Sequence, residues 1–325
     1  MAHPTRGAPL TATAEPEVLE GLHRTLADWF ATEARDLPWR DPVCPPWGVL
    51  VSEVMLQQTP VVRVLPVWRE WMERWPRPAD LAAEPPGEAV RAWGRLGYPR
   101  RALRLHAAAA VIAGEHGGEL PNTEEALLAL PGVGGYTAAA VAAFAFGRRA
   151  AVVDTNIRRV HARLVRGEAL PAPSFTAAER RLAEELLPDD GAASVRWNVA
   201  VMELGAIVCT ARSPRCDACP VADACAWRAA GEPPPRYVPK GQAWHGTDRQ
   251  VRGAVMAVLR AASRPVPRAL FEGPALVAAG DGGPVAAELA RLRALEPAPE
   301  QLERSIAGLL ADGLATENDG GLALP

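Results

Sequence analysis

The sequence contains few of three features: long apolar runs, lysine and cysteine. No run of about 18 apolar residues occurs, and the N-terminal stretch MAHPTRGAPLTATAEPEVLE lacks the apolar segment of a signal peptide. Membrane-spanning and secreted classes are therefore not expected. We expect a soluble protein that stays in the cytoplasm, where thiols remain reduced, so its five cysteines should not form a disulfide framework.

Lysine is nearly absent, and the basic charge comes almost wholly from arginine. Lys240 is the only lysine in a chain of net charge −3, which by itself does not suggest a nucleic-acid partner. Two stretches are nevertheless rich in arginine: residues 91–106 hold five arginines and no acid, and residues 148–166 hold six with one acid, Asp154. Such stripes are usually solvated helix faces; phosphate binding is the alternative that two of them favour.

The chain divides into a helical part and a smaller C-terminal part. Residues 1–14 are typical of a disordered tail, and residues 15 to about 208 show helical periodicity with short Pro- and Gly-marked breaks, which predicts an all-α region. Asn122 with Glu125 has the spacing of a capping box. A linker at 231–248 precedes residues 249–325, where helices closed by a hairpin around Asp319-Gly320 suggest a small α/β winged-helix-like module.

Four of the five cysteines stand close together in CTARSPRCDACPVADAC, with the spacing C-x6-C-x2-C-x5-C. Four thiolates can bind zinc or hold an iron–sulfur cluster. Four-cysteine zinc sites usually come as two C-x2-C pairs, whereas one such pair with two longer arms favours a larger inorganic core. The predicted ligands are Cys209, Cys216, Cys219 and Cys225; the fifth cysteine, Cys44, is expected to be a small packed residue.

Two further motifs accompany the cysteines. LPGVGGYTA at 130–138 has the glycines of a turn between helices, and VVDTN follows at 152–156. With the cysteine spacing, these motifs resemble the endonuclease III and MutY family of DNA glycosylases from about Val18 to Cys225. The glycines of the turn, Gly132, Gly134 and Gly135, would let backbone N–H groups approach a DNA phosphate closely.

The resemblance implies an architecture, a cofactor and a partner. It implies a two-domain helix-hairpin-helix fold with a 4Fe–4S cluster, acting on double-stranded DNA as a monomer in the cytoplasm, on the nucleoid. The expected cluster domain comprises 15–36 and 155–230, and the expected helical barrel, which carries the hairpin, comprises 37–154. The linker and the winged-helix-like module complete the chain.

Three residues carry the implied chemistry. Asp154 stands where the family keeps its catalytic aspartate, although a helix N-cap is the ordinary role for such a residue; Asn156 is expected to fix the same turn. Glu53, in VSEVMLQQT, lies among apolar residues that should raise its pKa, so that it could protonate adenine N7. Tyr136 replaces the lysine of bifunctional members, which predicts a monofunctional enzyme because a Schiff base needs an amine.

VSEVMLQQT resembles the MutY signature, and this resemblance implies which residues read the DNA. Two alternatives apply to them: contact with the bases around the mispair, or ordinary core packing, a serious alternative for Leu96. Outside the signature, the arginines of the cysteine segment are expected to contact phosphates. The full set of expected DNA contacts, beside the three glycines, is Gln57, Gln58, Thr59, Leu96, Tyr98, Arg40, Arg212 and Arg215.

The predicted function is the hydrolysis of adenine from mispairs with 8-oxoguanine or guanine in base excision repair. Two departures bear on it: Val199 replaces a Glu or Gln that could meet the adenine, and residues 249–325 are too short and too helical for the MutT-like domain of many members. The alternatives are a thymine or uracil mismatch glycosylase of the same superfamily and a noncatalytic iron–sulfur DNA-binding protein.

Overall fold

The computed structural model describes residues 15–238, 241, 243–272 and 283–325. The predicted tail at 1–14 lies outside these residues. The described chain is mostly helical, as the sequence predicts, with short 3-10 turns at Pro38–Arg40, Cys216–Ala218 and Ala222–Ala224. The α-helices are α1 Pro16–Glu33, α2 Pro46–Leu56, α3 Val61–Arg74, α4 Pro78–Ala82, α5 Pro86–Trp93, α6 Arg100–Glu115, α7 Glu124–Leu128, α8 Gly135–Phe146, α9 Thr155–Leu164, α10 Ala177–Glu185, α11 Gly191–Ile207, α12 Ala226–Ala229, α13 Asp248–Ala261, α14 Ala269–Glu272, α15 Pro284–Arg293 and α16 Pro299–Ala311.

The chain forms two compact units. The first unit comprises residues 1–53, 122–129 and 133–239. Its core is α11, which packs against α1, α8 and α9, while α10 and α12 contact α9. The apolar side of α1 buries Leu22 and Leu26, and α11 buries Trp197 and Leu204. Capping side chains fix where these helices begin: Asp154 caps α9, Thr176 caps α10 and Asp190 caps α11.

The second unit comprises residues 54–121, 130–132 and 240–325. Its helix α6 packs against α4 and α5. Three tryptophans, Trp71, Trp75 and Trp93, are buried there with their rings edge to face, an arrangement that aromatic pairs prefer. The C-terminal module belongs to this unit, since Arg91 of α5 donates to the carbonyls of Arg260 and Ala262, and the Gly87 N–H donates to the Pro325 backbone oxygen.

The C-terminal module has the helix and strand order of a winged helix. Helix α13 leads to Val266, which forms an isolated bridge with Leu322. Helices α14, α15 and α16 follow, and strands β1 Thr316–Asn318 and β2 Gly321–Ala323 pair antiparallel. The turn between the strands is Asp319-Gly320, where the sequence predicts it. The predicted winged-helix-like module is thereby confirmed in its topology.

One local prediction is wrong. The cap of α7 is Thr123, whose hydroxyl accepts from the Ala126 N–H at 3.3 Å, and not Asn122. Both residue types cap helices well, so the sequence pattern could not separate two neighbouring candidates. Separately, no helix among the described residues is long and apolar enough to cross a membrane.

Candidate active site and DNA-contacting loops

Asp154 is the N-cap of α9. Its Oδ1 accepts the Ile157 N–H at 2.7 Å, and its Oδ2 accepts the Asn156 side-chain amide at 2.8 Å. The capping role that sequence reasoning set beside the catalytic one is therefore confirmed. Asn156 holds the second carboxylate oxygen, so the expectation that it fixes this turn is also confirmed.

The charge state of Asp154 reflects opposing influences. Burial raises its pKa, while the N–H groups of Ile157 and Asn156 and the charge of Arg159 lower it; the net result is a pKa above the ordinary aspartate value. An ionised Asp154 is consequently poorly solvated, and a cation forming beside it would be strongly favoured.

Glu53 lies on α2 and is only 5% exposed. Its pKa is raised to about 7: burial raises it most, the hydrogen bond from Tyr136 lowers it, the negative charge of Asp154 raises it and the charge of Arg40 lowers it. The predicted upward shift is confirmed. At neutral pH this carboxyl is therefore protonated in a large fraction of molecules, as a general acid must be.

Tyr136, the second residue of α8, links this acid to the hairpin. Its hydroxyl donates to Glu53 Oε2 at 2.7 Å. Burial and the charges of Glu53 and Asp154 raise the pKa of Tyr136 well above its ordinary value, so it stays a neutral phenol. The three predicted catalytic side chains thus belong to one electrostatically coupled group, which we call the catalytic trio: Glu53, Tyr136 and Asp154.

A buried arginine that sequence reasoning missed supports the Asp154 turn. Arg159 is 6% exposed, and it donates to Asn156 Oδ1 at 2.9 Å, to the Gly205 carbonyl at 2.6 Å and to the Cys209 carbonyl at 2.7 Å. Gly205 must be small here, because an added Cβ would lie 2.7 Å from the Asn156 Cβ. A hydrogen-bonded path therefore joins Asp154, through Asn156 and Arg159, to the carbonyl of Cys209, the first cysteine of the cluster segment.

A second buried polar group, also missed, surrounds Glu203. This carboxylate is fully buried and accepts from Arg35 Nε at 2.6 Å and from Arg40 Nη2 at 2.7 Å. Although burial raises its pKa, the hydrogen bonds from Arg35 and Arg40 bring it down to about 2. Arg40, predicted as a DNA contact, is thus committed to an internal ion pair, and its contact with DNA stays a prediction.

The cysteine segment fits an iron–sulfur cluster. The charges of Cys209, Cys216 and Cys225 all raise the pKa of Cys219, so the four thiols face a shared space. Within the described residues, no group of three His, Cys, Asp or Glu side chains is placed to hold a metal ion. Arg163 donates to Cys209 Sγ at 3.3 Å and to the Thr210 carbonyl at 2.7 Å, and so holds the start of the segment.

The two arginines predicted to contact phosphate in this segment differ. Arg212 and Arg215 are both exposed. Arg215, however, donates to the Ile207 carbonyl at 2.6 Å, so it holds the cysteine segment against the end of α11. Arg212 is therefore the better placed of the two to reach a phosphate.

Three of the six arginines of the second arginine-rich stretch, 148–166, turn inward. Arg158 pairs with Glu179 at 2.9 Å, and Arg163 and Arg159 are at most 6% exposed. These three side chains bind protein atoms, so phosphate binding does not describe them; for the exposed Arg148, Arg149 and Arg166 it stays a prediction. The ordinary alternative, a solvated helix face, is wrong for the three inward-facing side chains as well.

The glycine turn between α7 and α8 leaves the start of α8 open. Gly132 needs its left-handed backbone (φ 78°), and a Cβ there would clash with the side chain of Arg104. A Cβ on Gly134 would meet no protein atom within 4 Å, so the space next to this glycine is open. An exposed helix N-terminus without side chains suits an anion. Arg180, 3.9 Å from the Gly135 position, adds a positive charge that sequence reasoning missed.

The predicted base-contacting residues lie in two loops of the second unit, 57–59 and 96–98, which we call the reading loops. Gln58 and Tyr98 are exposed, and both adopt left-handed backbone conformations, with φ of 56° and 48°. Thr59 is buried, and its hydroxyl donates to the Leu96 carbonyl at 3.3 Å. Leu96 is 4% exposed, which favours the packing alternative for its side chain.

Two family models match the chain. Residues 51–186 match the HhH-GPD superfamily of base excision DNA repair proteins, and residues 209–225 match the iron–sulfur binding domain of endonuclease III. The first match spans both Glu53 and Asp154. The second covers the four cysteines, so the chain carries the cysteine ligands of a 4Fe–4S cluster.

Named relatives and solved structures agree with these matches. The chain is 47% identical to the adenine DNA glycosylase of Mycobacterium tuberculosis strain H37Rv over 96% of its own length and 97% of the relative's. A thermostable thymine-DNA glycosylase structure superposes with a TM-score of 0.57 at 30% identity, covering 66% of this chain and 98% of that one. An endonuclease III–DNA covalent intermediate matches with a TM-score of 0.56 at 24% identity, covering 67% and 99%, which shows the shared fold.

The match to this adenine DNA glycosylase spans 96% of the chain, whereas the two solved structures cover 66% and 67% of it. With the catalytic trio, the glycine turn and the cysteine segment all in place, the chain belongs to the adenine DNA glycosylase family of the helix-hairpin-helix superfamily.

Proposed function

We propose that this enzyme hydrolyses the N-glycosidic bond of adenine mispaired with 8-oxoguanine or guanine in double-stranded DNA. The observation that carries the proposal is the pairing of unlike carboxyls within the catalytic trio. Glu53 keeps its proton near neutral pH because its pKa is raised to about 7, whereas the Asp154 carboxylate accepts hydrogen bonds from the Ile157 N–H and the Asn156 amide, which favour its anion against the burial that raises its pKa. Two carboxyls with different protonation states are what acid-assisted base removal needs.

In the first step, Glu53 donates its proton to N7 of the adenine. Protonation makes the base a better leaving group, so the bond between C1′ and N9 breaks with its electron pair going to the base. The hydroxyl of Tyr136 holds Glu53 Oε2 at 2.7 Å and so orients the carboxyl for this transfer. The sugar is left with positive charge shared between C1′ and its ring oxygen.

In the second step, the carboxylate of Asp154 stabilises that cation. Its position is set by Ile157, Asn156 and, through Asn156, Arg159, so little reorganisation is needed when charge develops. A water molecule then bonds to C1′, and Glu53, having lost its proton, is able to accept one from the water. The products are free adenine and an abasic site.

The proposed enzyme is monofunctional. Strand cleavage through a Schiff base needs an amine, and the sequence has a tyrosine at position 136 and a single lysine at 240. When bound, the 4Fe–4S cluster supplies structural order to the segment that presents Arg212. We propose that the enzyme acts as a monomer in the cytoplasm, on the nucleoid, with the domain division predicted from the sequence.

The test uses four duplexes that carry A opposite 8-oxoguanine, A opposite G, T opposite G and U opposite G. After incubation with cluster-loaded protein, abasic sites are cleaved with alkali and the fragments measured. Breaks at the adenine of the first two duplexes are expected, and no breaks without alkali.

A second candidate is removal of thymine or uracil from mispairs, favoured by the 30% identity to a thymine-DNA glycosylase. Breaks only at T or U would support it and contradict the adenine proposal. Binding to all four duplexes without breaks would support the noncatalytic alternative.

A further inference from the structure

The reading loops are strained, and the strain needs a restraint. Non-glycine residues with left-handed backbones are energetically unfavourable and persist only where neighbouring groups hold them. Gln58 and Tyr98 both have such backbones, and both side chains are exposed. Hydrogen bonds within the loops account for part of the restraint: Thr59 donates to the Leu96 carbonyl, and the Trp93 indole donates to the Gly97 carbonyl at 2.8 Å.

Arg101, in the first turn of α6, is the side chain that contacts both strained residues. Its guanidinium donates to the Gln57 carbonyl, and Nη2 donates to Gln58 Oε1 at 3.0 Å. The same guanidinium stacks over the Tyr98 ring with 4.5 Å to the centroid. One planar group thus fixes the backbone before Gln58, the amide of Gln58 and the ring of Tyr98.

Among the described residues, no carboxylate forms an ion pair with Arg101. Its described partners are a carbonyl, an amide oxygen and an aromatic face, and burial together with the charge of Arg104 lowers its pKa. Keeping a half-buried guanidinium without an anionic partner costs free energy. Such an arrangement is expected where the planar shape of the guanidinium, and not its charge alone, is needed to hold its neighbours.

The contact with Arg101 also decides which end of the Gln58 amide faces outward. A guanidinium only donates, so it binds Oε1 and leaves the two N–H donors of Nε2 for other partners. N–H donors that face outward can bind a base edge that carries hydrogen-bond acceptors. Guanine offers two such acceptors, N7 and O6, side by side.

We propose that Arg101 is a positioning residue that fixes Gln58 as a hydrogen-bond donor and Tyr98 as a stacking surface, and thereby sets the preference for a guanine-type base opposite the adenine. This inference rests on the proposed function. It assigns the choice of opposing base to a side chain that itself need not contact any base.

The test compares Arg101→Lys with Arg101→Gln. Lysine keeps the positive charge but cannot form the two-pronged, stacked contact, so a phosphate-binding role would survive it and a positioning role would not. Single-turnover rates and dissociation constants are measured with adenine opposite guanine and opposite a tetrahydrofuran site that has no base. Arg291→Gln, which removes an exposed arginine paired with Glu288, is the matched control for lost charge.

In the wild-type protein, the rate opposite guanine should exceed the rate opposite the baseless site. Arg101→Lys should reduce that ratio about tenfold while leaving the baseless rate within about twofold of wild type. Arg101→Gln should reduce the ratio by the same factor, and Arg291→Gln should leave the ratio at its wild-type value.

Three results would overturn the inference while leaving the proposed function intact: a wild-type ratio of one, a normal ratio in Arg101→Lys, or equal losses on both duplexes. Absence of adenine release from either duplex by the wild-type protein would instead overturn the proposed function, and this inference with it.

Discussion

The catalytic trio in the first unit and the reading loops in the second are built in opposite ways. Glu53 is 5% exposed and accepts the Tyr136 hydroxyl, and Asp154 is held at the start of α9 by the Ile157 N–H. The reading loops place Gln58 and Tyr98 in solvent on left-handed backbones. One region uses burial to shift pKa values, and the other uses strain to present side chains.

The difference teaches that chemistry and recognition place separate demands on this chain. A proton donor needs desolvation, because only burial brings a glutamate pKa to about 7. A surface that meets DNA bases must stay accessible and must adopt a shape that regular helices do not supply. Changes in the trio should therefore alter the rate of bond cleavage, and changes in the loops should alter binding and preference.

The largest effect is expected from Asp154→Asn. Asparagine caps helices about as well as aspartate, so α9 should keep its start while the anion is lost. The single-turnover rate should fall about 10³-fold with the dissociation constant for DNA nearly unchanged. Asp190→Asn, which changes the N-cap of α11 in the same unit, is the matched control and should keep the rate. A similar loss of rate in Asp154→Asn and Asp190→Asn would mean that the loss comes from a weakened helix N-cap and not from the missing anion.

Arg159→Gln should have the next largest effect, on both stability and rate. It leaves the buried Gly205 and Cys209 carbonyls with fewer donors and frees Asn156, which should lower the free energy of unfolding by about 1–3 kcal/mol. The rate should fall about tenfold because Asp154 is held less firmly. Arg149→Gln is the control, since Arg149 also donates to carbonyls but is exposed. Chemical denaturation should separate the two variants; equal midpoints would contradict the supporting role of Arg159.

Gln58→Ala should affect recognition and spare the trio. The dissociation constant should rise about fivefold for adenine opposite guanine, while the rate at saturating enzyme should change less than about threefold. Gln301→Ala, which removes a partly exposed glutamine of the C-terminal module, is the control. A rate loss as large as that of Asp154→Asn would show that the loops and the trio are not separable.

The smallest effect is expected from Arg212→Ala. Loss of one phosphate contact should weaken DNA binding about threefold and reduce the slope of log affinity against log salt by about 1. Arg215→Ala should weaken binding and also loosen the cluster segment, because Arg215 holds the Ile207 carbonyl. A titration at several salt concentrations distinguishes the two. An unchanged salt slope in Arg212→Ala would mean that Arg212 does not contact DNA.

Sequence reasoning succeeded where a function lies within one contiguous motif. VVDTN contains both Asp154 and the Asn156 that holds it, and the cysteine spacing lies within 17 residues, 209–225. Glu53 could be predicted to have a raised pKa because its sequence neighbours are apolar. The burial that raises the Asp154 pKa could not be predicted, since neighbouring residues in sequence do not reveal how strongly a carboxyl is desolvated.

The supporting residues could not be predicted because their partners are remote in sequence. Arg35 and Glu203 are 168 positions apart, Arg159 and Cys209 are 50 apart, and Arg101 and Gln57 are 44 apart. An arginine in a helix has the same local pattern whether it faces solvent or a buried carbonyl. Only the folded chain separates Arg159, which faces inward, from Arg212, which is exposed.

The most direct test is the pH dependence of the single-turnover rate with adenine opposite 8-oxoguanine, measured for wild type and Glu53→Gln. Asp154 must be ionised and Glu53 protonated, so the wild-type rate should fall at acidic pH as Asp154, whose pKa is raised, gains a proton, and should fall about tenfold per pH unit above the Glu53 pKa of about 7. Glu53→Gln should be slower by about 10²-fold or more and should lack this falling limb. A wild-type rate that already falls near the ordinary glutamate value of 4.5, or a Glu53→Gln variant with the same falling limb, would contradict Glu53 as the proton donor.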